Sequence, residues 1–161
     1  RELLITSHFK KFKMKPNTVL IKKLNANSFE LPKYQTEGSV GIDLSASIID
    51  DILIRPDDRE LIPTGVAISL PQNIEGQVRP RSGLALKYGI TVLNSPGTID
   101  SDYRGEIKVI LINHGKEDFL IQNNDRIAQL VFNEVVKVSL KEVDNLDQTS
   151  RDEKGFGSTG K

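Results

Sequence analysis

Three groups of residues have the types and spacing to handle a phosphorylated ligand. In Arg151-Asp-Glu-Lys-Gly-Phe-Gly-Ser-Thr-Gly160, Gly155, Gly157 and Gly160 let backbone N–H groups approach an anion. Arg151, Ser158 and Thr159 add donors, and Phe156 offers a flat face for stacking. Phosphate donors beside a stacking ring suit a nucleotide. Loops of this composition usually lead into a helix whose N-terminus helps to hold the anion, yet only Lys161 follows here. The segment reads either as a mobile arm or as a disordered tail. Composition alone favours the tail, but a tail has no need of Phe156 between two glycines or of Arg151.

The second group lies in Pro80-Arg-Ser-Gly-Leu-Ala-Leu-Lys-Tyr-Gly89, where Ser82 is placed to N-cap a short helix ending at Gly89. Arg81 and Ser82 beside its free N–H groups would form an anion site; the alternative is an ordinary surface helix with a solvated arginine. The third group is Asn94-Ser-Pro-Gly-Thr-Ile-Asp-Ser-Asp-Tyr-Arg-Gly-Glu106, whose turn residues predict a hairpin with polar groups near its tip. On a strand, Asp100 and Asp102 would share a face, with Ile99 turned inward. Paired carboxylates near phosphate donors suit a metal or a general base, whereas an Asp-Ser-Asp turn that solvates itself is the plainer alternative.

Composition narrows the chemistry further. The 161 residues suit one domain with a real core. Lys plus Arg and Asp plus Glu are both 22, so no broad field attracts polymeric nucleic acid or an anionic membrane, and any anion site must be local. Cysteine is absent and the histidines, His8 and His114, stand apart, which weighs against thiolate or histidine metal sites and a Ser-His relay. The longest aliphatic run, Val109-Ile-Leu-Ile112, is far too short to span a bilayer. A soluble, cytoplasmic protein is expected, with an organellar or nuclear form left open. Residues 1–15 read as a basic extension, either a processed leader or, by preference, a disordered segment; Met14 resembles an internal start.

The elements that must hold these groups are short and β-type. Residues 19–24, 41–46, 65–70, 76–79, 90–93, 105–113, 119–122, 128–132 and 136–141 carry period-two or continuous apolar patterns. Turn signals recur about every ten residues, as in an all-β sandwich, jelly roll or barrel. The polar stretch 142–150 reads as a linker; extended at roughly 3.3 Å per residue it could carry the glycine-rich segment some 30 Å, far enough to reach a neighbouring subunit.

Five segments in this order resemble the motifs of the homotrimeric dUTP pyrophosphatases (dUTPases): Gly41-Ile-Asp-Leu-Ser-Ala46, Pro80-Arg-Ser-Gly-Leu-Ala85, Gly97-Thr-Ile-Asp-Ser-Asp-Tyr-Arg-Gly-Glu106, Arg126-Ile-Ala-Gln-Leu-Val-Phe132 and residues 151–160. The resemblance implies an all-β distorted jelly-roll or β-clip barrel with one short helix and a flexible C-terminal arm. Its domain would span residues 16–142, with 143–161 as linker and arm. The implied protein is a homotrimer with active sites between subunits, hydrolysing dUTP to dUMP and pyrophosphate with Mg2+ as cofactor. That reaction removes dUTP from the nucleotide pool and supplies dUMP for thymidylate synthesis.

By the same resemblance, Asp100 orients and deprotonates the attacking water and lies close to the deoxyribose 3′-hydroxyl, while Gln129 assists near the α-phosphate. Because a carboxylate is an intrinsically weak base, positioning must supply most of the catalysis. Tyr103 packs under the sugar and leaves no room for a 2′-hydroxyl. Asn94 and backbone groups around Thr98, Ile99 and Lys108 read uracil; cytosine would leave a buried donor unpaired, at about 1–3 kcal/mol. Arg81, Ser82 and Gly83 hold the phosphates, and Asp43 meets the Mg2+ shell through water, the metal being held mainly by the triphosphate. Phe156 covers uracil, with Arg151, Ser158 and Thr159 over the γ-phosphate and Gly157 among the substrate-binding residues of the same arm. Arg126 would be structural.

Two rivals remain within reach of the sequence. dCTP deaminases share the fold but place a glutamate on the strand after the hairpin, where residues 107–113 carry no acid. A non-catalytic dUTP-binding regulatory module would have little need of Asp100, Tyr103, Gln129 and Phe156 together.

Overall fold

The alternating pattern folds into eleven strands and one helix among residues 17–24 and 30–155, which the computed structural model describes. In chain order these are β1 (Leu20–Lys23), β2 (Ile42–Ser45), β3 (Ile52–Ile54), β4 (Arg59–Pro63), β5 (Val66–Ser69) and β6 (Ile74–Arg79). The helix α1 (Ser82–Tyr88) follows, then β7 (Ile90–Val92), β8 (Gly97–Ile99), β9 (Lys108–Asn113), β10 (Phe119–Ile121) and β11 (Arg126–Glu134). Every pairing is antiparallel, in sheets ordered β2-β11-β6-β8, β4-β9-β7, β1-β5 and β10-β3. Among the described residues these four sheets do not close into a barrel.

Period two decides which side chains meet. On β6, Ile74, Gly76 and Val78 are buried and Glu75, Gln77 and Arg79 are not; on β9, Val109, Leu111 and Asn113 point inward. Ile74, Val78, Val109 and Leu111 join Leu44, Ile54, Ile62, Ile90, Ile121 and Leu130 in one continuous core, each large aliphatic side chain contributing about 1.5–3 kcal/mol on burial. Asn113 is fully buried and satisfied: Nδ2 donates to the carbonyls of Ile54 (2.9 Å) and Glu117 (2.8 Å), and Oδ1 accepts from Gly115 N–H (2.8 Å). Gly115 thereby lies so close to Gly89 that a Cβ on Gly89 would meet the Gly115 nitrogen at 2.5 Å.

Four expectations change. Residues 93–107 do not form a simple hairpin. β7 and β9 pair with each other, but the connection between them leaves that sheet and places β8 against β6, with Thr98 opposite Gln77. Asp100 and Asp102 therefore stand not on a strand but in the turn after β8, closed by Tyr103 N–H to the Asp100 carbonyl at 3.1 Å. The helix starts one residue earlier than Ser82 capping requires: Arg81 is the N-cap residue, in extended conformation and without a side-chain cap bond, while Gly89 ends the helix at φ 69° as foreseen. Residues 136–141 form no strand. Val136, Val138 and Leu140 are exposed there, because among the described residues no strand partner covers them.

Candidate active site

The largest assembly of the expected site residues is a cavity of about 370 Å³ where the edge of the four-stranded sheet faces β9. Asn94, Thr98, Ile99, Asp100, Tyr103 and Lys108 all line it. β8 is the outer strand of its sheet, so one side of its backbone carries N–H and C=O groups that no strand among the described residues pairs. Gly97 permits this placement: a Cβ there would lie 3.3 Å from both Val78 Cβ and Asn94 Nδ2, so the strand sits close on β6 with the Asn94 amide alongside.

The turn that follows is clipped from several directions. The Arg104 guanidinium donates from NH1 to the carbonyls of Ser101 (2.7 Å) and Tyr103 (2.9 Å). Tyr103 donates its hydroxyl to the Glu106 carbonyl at 3.0 Å. Glu106 Oε1 accepts the Gly65 N–H at 2.8 Å, and Oε2 stands 3.9 Å from Lys108 Nζ. Ile107 N–H reaches the Val66 carbonyl at 2.8 Å, and Thr64 Oγ1 donates to the Ile107 carbonyl at 2.6 Å. The loop bearing Asp100 and Tyr103 is thus sewn to the β4–β5 corner at its far end, which leaves both side chains exposed at a fixed rim.

Sequence reasoning missed part of this lining. Leu61, Val78, Val92, Val109 and Ile110 supply its apolar face and Glu106 a carboxylate. The aliphatic residues read as core because their strand periodicity is indistinguishable from that of core positions. The glutamate in Arg104-Gly-Glu106 was the one visible signal.

A second group forms elsewhere. Asp43, on β2, is bracketed by two guanidiniums, Arg81 Nε at 3.3 Å from Oδ1 and Arg126 NH1 at 3.2 Å from Oδ2. Arg81 NH1 also donates to the Arg126 carbonyl at 2.9 Å. Gln129, opposite Asp43 across the β11–β2 ladder, donates from Nε2 to the Pro80 carbonyl at 3.0 Å. Ser82 and Gly83 lie exposed in the first turn of α1, where a helix leaves N–H groups without i−4 acceptors. None of Asp43, Arg81, Ser82, Gly83 or Gln129 lines the cavity around Asp100. Within one chain the two groups are separate.

Among the described residues no cluster of three or more His, Cys, Asp or Glu side chains could hold a metal ion. The Asp43 carboxylate is already in contact with two arginines, which suits an outer, water-mediated contact with a hard cation better than direct ligation. Arg151 stands apart from both groups: its Nε donates to the Lys154 carbonyl at 3.0 Å in a local turn. Phe156, Gly157, Ser158 and Thr159 lie outside the described residues.

The dUTPase family model matches residues 27–160. The chain belongs to the dUTPase family. A deoxyuridine 5′-triphosphate nucleotidohydrolase of Ehrlichia canis is 57% identical over 152 residues, covering 91% of this chain and 99% of the relative. That of Thermoanaerobacter sp. strain X514 is 55% identical over 141 residues, 87% and 95% of the two chains. Among solved structures, a dUTPase of Staphylococcus bacteriophage 80alpha with dUPNHPP superposes with a TM-score of 0.80 at 25% identity, over 90% of this chain and 99% of that one. The dUTPase of phage phi11 of S. aureus, described with a structural Mg(II) ion, has a TM-score of 0.72 at 22% identity over 80% and 98%, a likeness of fold. The motifs named from sequence fall inside the matched dUTPase region, and the jelly-roll-like dUTPase architecture accords with the strand order above. No helix among the described residues is long and apolar enough to cross a membrane.

Proposed function

We propose that the chain hydrolyses dUTP to dUMP and pyrophosphate by attack of water at the α-phosphorus. The observation that carries this reading is the cavity in which an edge strand, an exposed carboxylate and a tyrosine ring converge: β8, Asp100 and Tyr103. The unpaired side of β8 offers alternating donors and acceptors, as uracil does along C4=O, N3–H and C2=O, and the Asn94 amide adds a further polar contact. Cytosine reverses part of that pattern and would leave a donor facing a donor. Tyr103 supports the deoxyribose from below.

In the reacting complex Asp100 accepts a proton from water, the water oxygen bonds to the α-phosphorus, and the α–β bridging bond breaks with pyrophosphate as leaving group. Holding that water at the rim, more than basicity, is what the clipped turn contributes. Arg81, Ser82 and Gly83 hold the phosphates by charge and helix N–H groups, and Gln129 orients the α-phosphate or the water. Asp43 would meet the hydration shell of a Mg2+ ion held chiefly by the triphosphate, and such an ion would supply charge neutralisation on the phosphate chain.

Because each chain carries two separate half-sites, we place the complete site between subunits of a homotrimer, with Arg151, Phe156, Gly157, Ser158 and Thr159 closing over bound nucleotide as an arm. A cytoplasmic setting belongs to the same reading, since its triphosphate substrate is an intracellular metabolite. The test is incubation with Mg2+ and dUTP, dCTP, UTP or dTTP, following pyrophosphate and ammonia. Pyrophosphate from dUTP alone is expected; ammonia from dCTP would select a deaminase, and tight dUTP binding without product a binding module. Sedimentation equilibrium should give about three times the 17.9 kDa chain mass.

A further inference from the structure

The Tyr103 ring packs on a residue with no side chain. A Cβ built on Gly105 would stand 2.5 Å from Tyr103 Cζ and 2.9 Å from Cε2, with the hydroxyl oxygen nearer still, and these three nearest atoms all belong to Tyr103. Gly105 is not in the left-handed region, so alanine is allowed by its backbone; what alanine meets first is the ring. Carbon contacts relax at about 3.5–4.0 Å, so the ring would have to move by roughly 1 Å. Its hydroxyl is held from the other end by the Glu106 carbonyl at 3.0 Å, and Glu106 is itself anchored by Oε1 to the Gly65 N–H at 2.8 Å. Tyr103 is otherwise 45% exposed, so nothing else among these contacts resists its displacement.

We propose that Gly105 and the anchored Glu106 carbonyl are positioning residues that set the plane of the Tyr103 ring and thereby the discrimination between deoxyribose and ribose nucleotides. The inference rests on the reading of Tyr103 as the floor under the sugar. A 2′-hydroxyl adds one oxygen to the sugar, and a ring displaced by about 1 Å no longer closes the space that the oxygen would occupy. Neither residue needs to touch the nucleotide.

The test compares wild type, Gly105→Ala, Tyr103→Ala and the double variant, reading the dUTP-to-UTP ratio of kcat/KM and the UMP-to-dUMP ratio of dissociation constants by calorimetry. Gly105→Ala should lower both ratios at least tenfold while its melting temperature stays near that of wild type. In the Tyr103→Ala background the same substitution should have no further effect on either ratio, because the ring through which it acts is gone. Unchanged ratios in Gly105→Ala, or an effect that persists without Tyr103, overturn the proposal. Should Gly105→Ala fail to fold, Glu106→Ala decides: it should lower the ratios, and Glu106→Gln, which keeps an acceptor for Gly65, should restore them. Equal ratios in all three Glu106 forms overturn the proposal. Wild-type protein that neither binds dUMP nor hydrolyses dUTP overturns the functional reading and this inference with it, whereas an active wild type with an insensitive ratio overturns the inference alone.

Discussion

Gly41 lies directly against Gln129: a methyl group on Gly41 would stand 2.6 Å from Gln129 Oε1 and 3.3 Å from both Cβ and Cδ. The same amide donates from Nε2 to the Pro80 carbonyl at 3.0 Å, so it is held between β2 and the entrance to α1. Gly41→Ala should turn the amide off Pro80, at an off-rotamer cost of about 0.5–1.5 kcal/mol. The expected result is a fall in kcat/KM for dUTP of about tenfold, equal to about 1.4 kcal/mol in the barrier. Steady-state kinetics beside a thermal melt check this, and full activity would show that the orientation of Gln129 does not matter.

Asp43 and Arg126 should separate in a pair of alanine variants. Arg81 is held by two contacts, one to the Asp43 carboxylate and one to the backbone carbonyl of Arg126. Asp43→Ala removes the first; Arg126→Ala leaves both, since the second uses no Arg126 side-chain atom. KM for dUTP should therefore rise severalfold in Asp43→Ala and much less in Arg126→Ala. Stability should barely register Arg126→Ala, because exposed ion pairs contribute about 0–1 kcal/mol and the Arg126 side chain is 53% exposed. Equal KM values in the two variants would remove Asp43 as the anchor of Arg81.

Much of this arrangement was legible because the chemistry sits in contiguous segments. The run from Gly97 to Lys108 carries five of the six expected cavity residues, with Asn94 just before it, and period two placed most strands within one to three residues of their observed limits. What sequence did not disclose is which strands pair. Antiparallel neighbours leave no mark on local periodicity, so β8 read as the arm of a hairpin although its partner is β6, about twenty residues earlier. The same blindness made residues 136–141 a strand: alternation reports a pattern suited to pairing, not the presence of a partner. Residue type suits Ser82 to a cap, but the first turn of α1 begins at that residue, and Arg81 turns its guanidinium to Asp43 instead of capping. Glu106 escaped because its part is played half by a backbone carbonyl, an atom every residue has.

Replacing Asp100 with asparagine should separate binding from turnover. Asp100 sits at the cavity rim in a turn closed through its backbone carbonyl, not its carboxylate, so the amide side chain leaves the turn intact. General-base assistance contributes about 10²–10⁴ in rate, and kcat should fall within that range while the dissociation constant for dUTP, measured by calorimetry, changes little. Undiminished pyrophosphate release would take Asp100 out of the mechanism.

Gly83 offers a test in which stability and activity move in opposite directions. It is the second residue of α1, and a Cβ there would meet nothing within 4 Å. Alanine should therefore fold at least as well as glycine, with a gain of up to about 1 kcal/mol from lower chain entropy in the unfolded state. For a chain of this size that raises the melting temperature by about 2–4 °C. If phosphates approach the first-turn N–H groups, the new methyl group occupies their path, and kcat/KM for dUTP should drop at least tenfold. A loss of activity from unfolding would be accompanied by a lower melting temperature, so a higher melting temperature with lower activity assigns the open space over Gly83 to the ligand. A variant both more stable and fully active would move the phosphates away from α1.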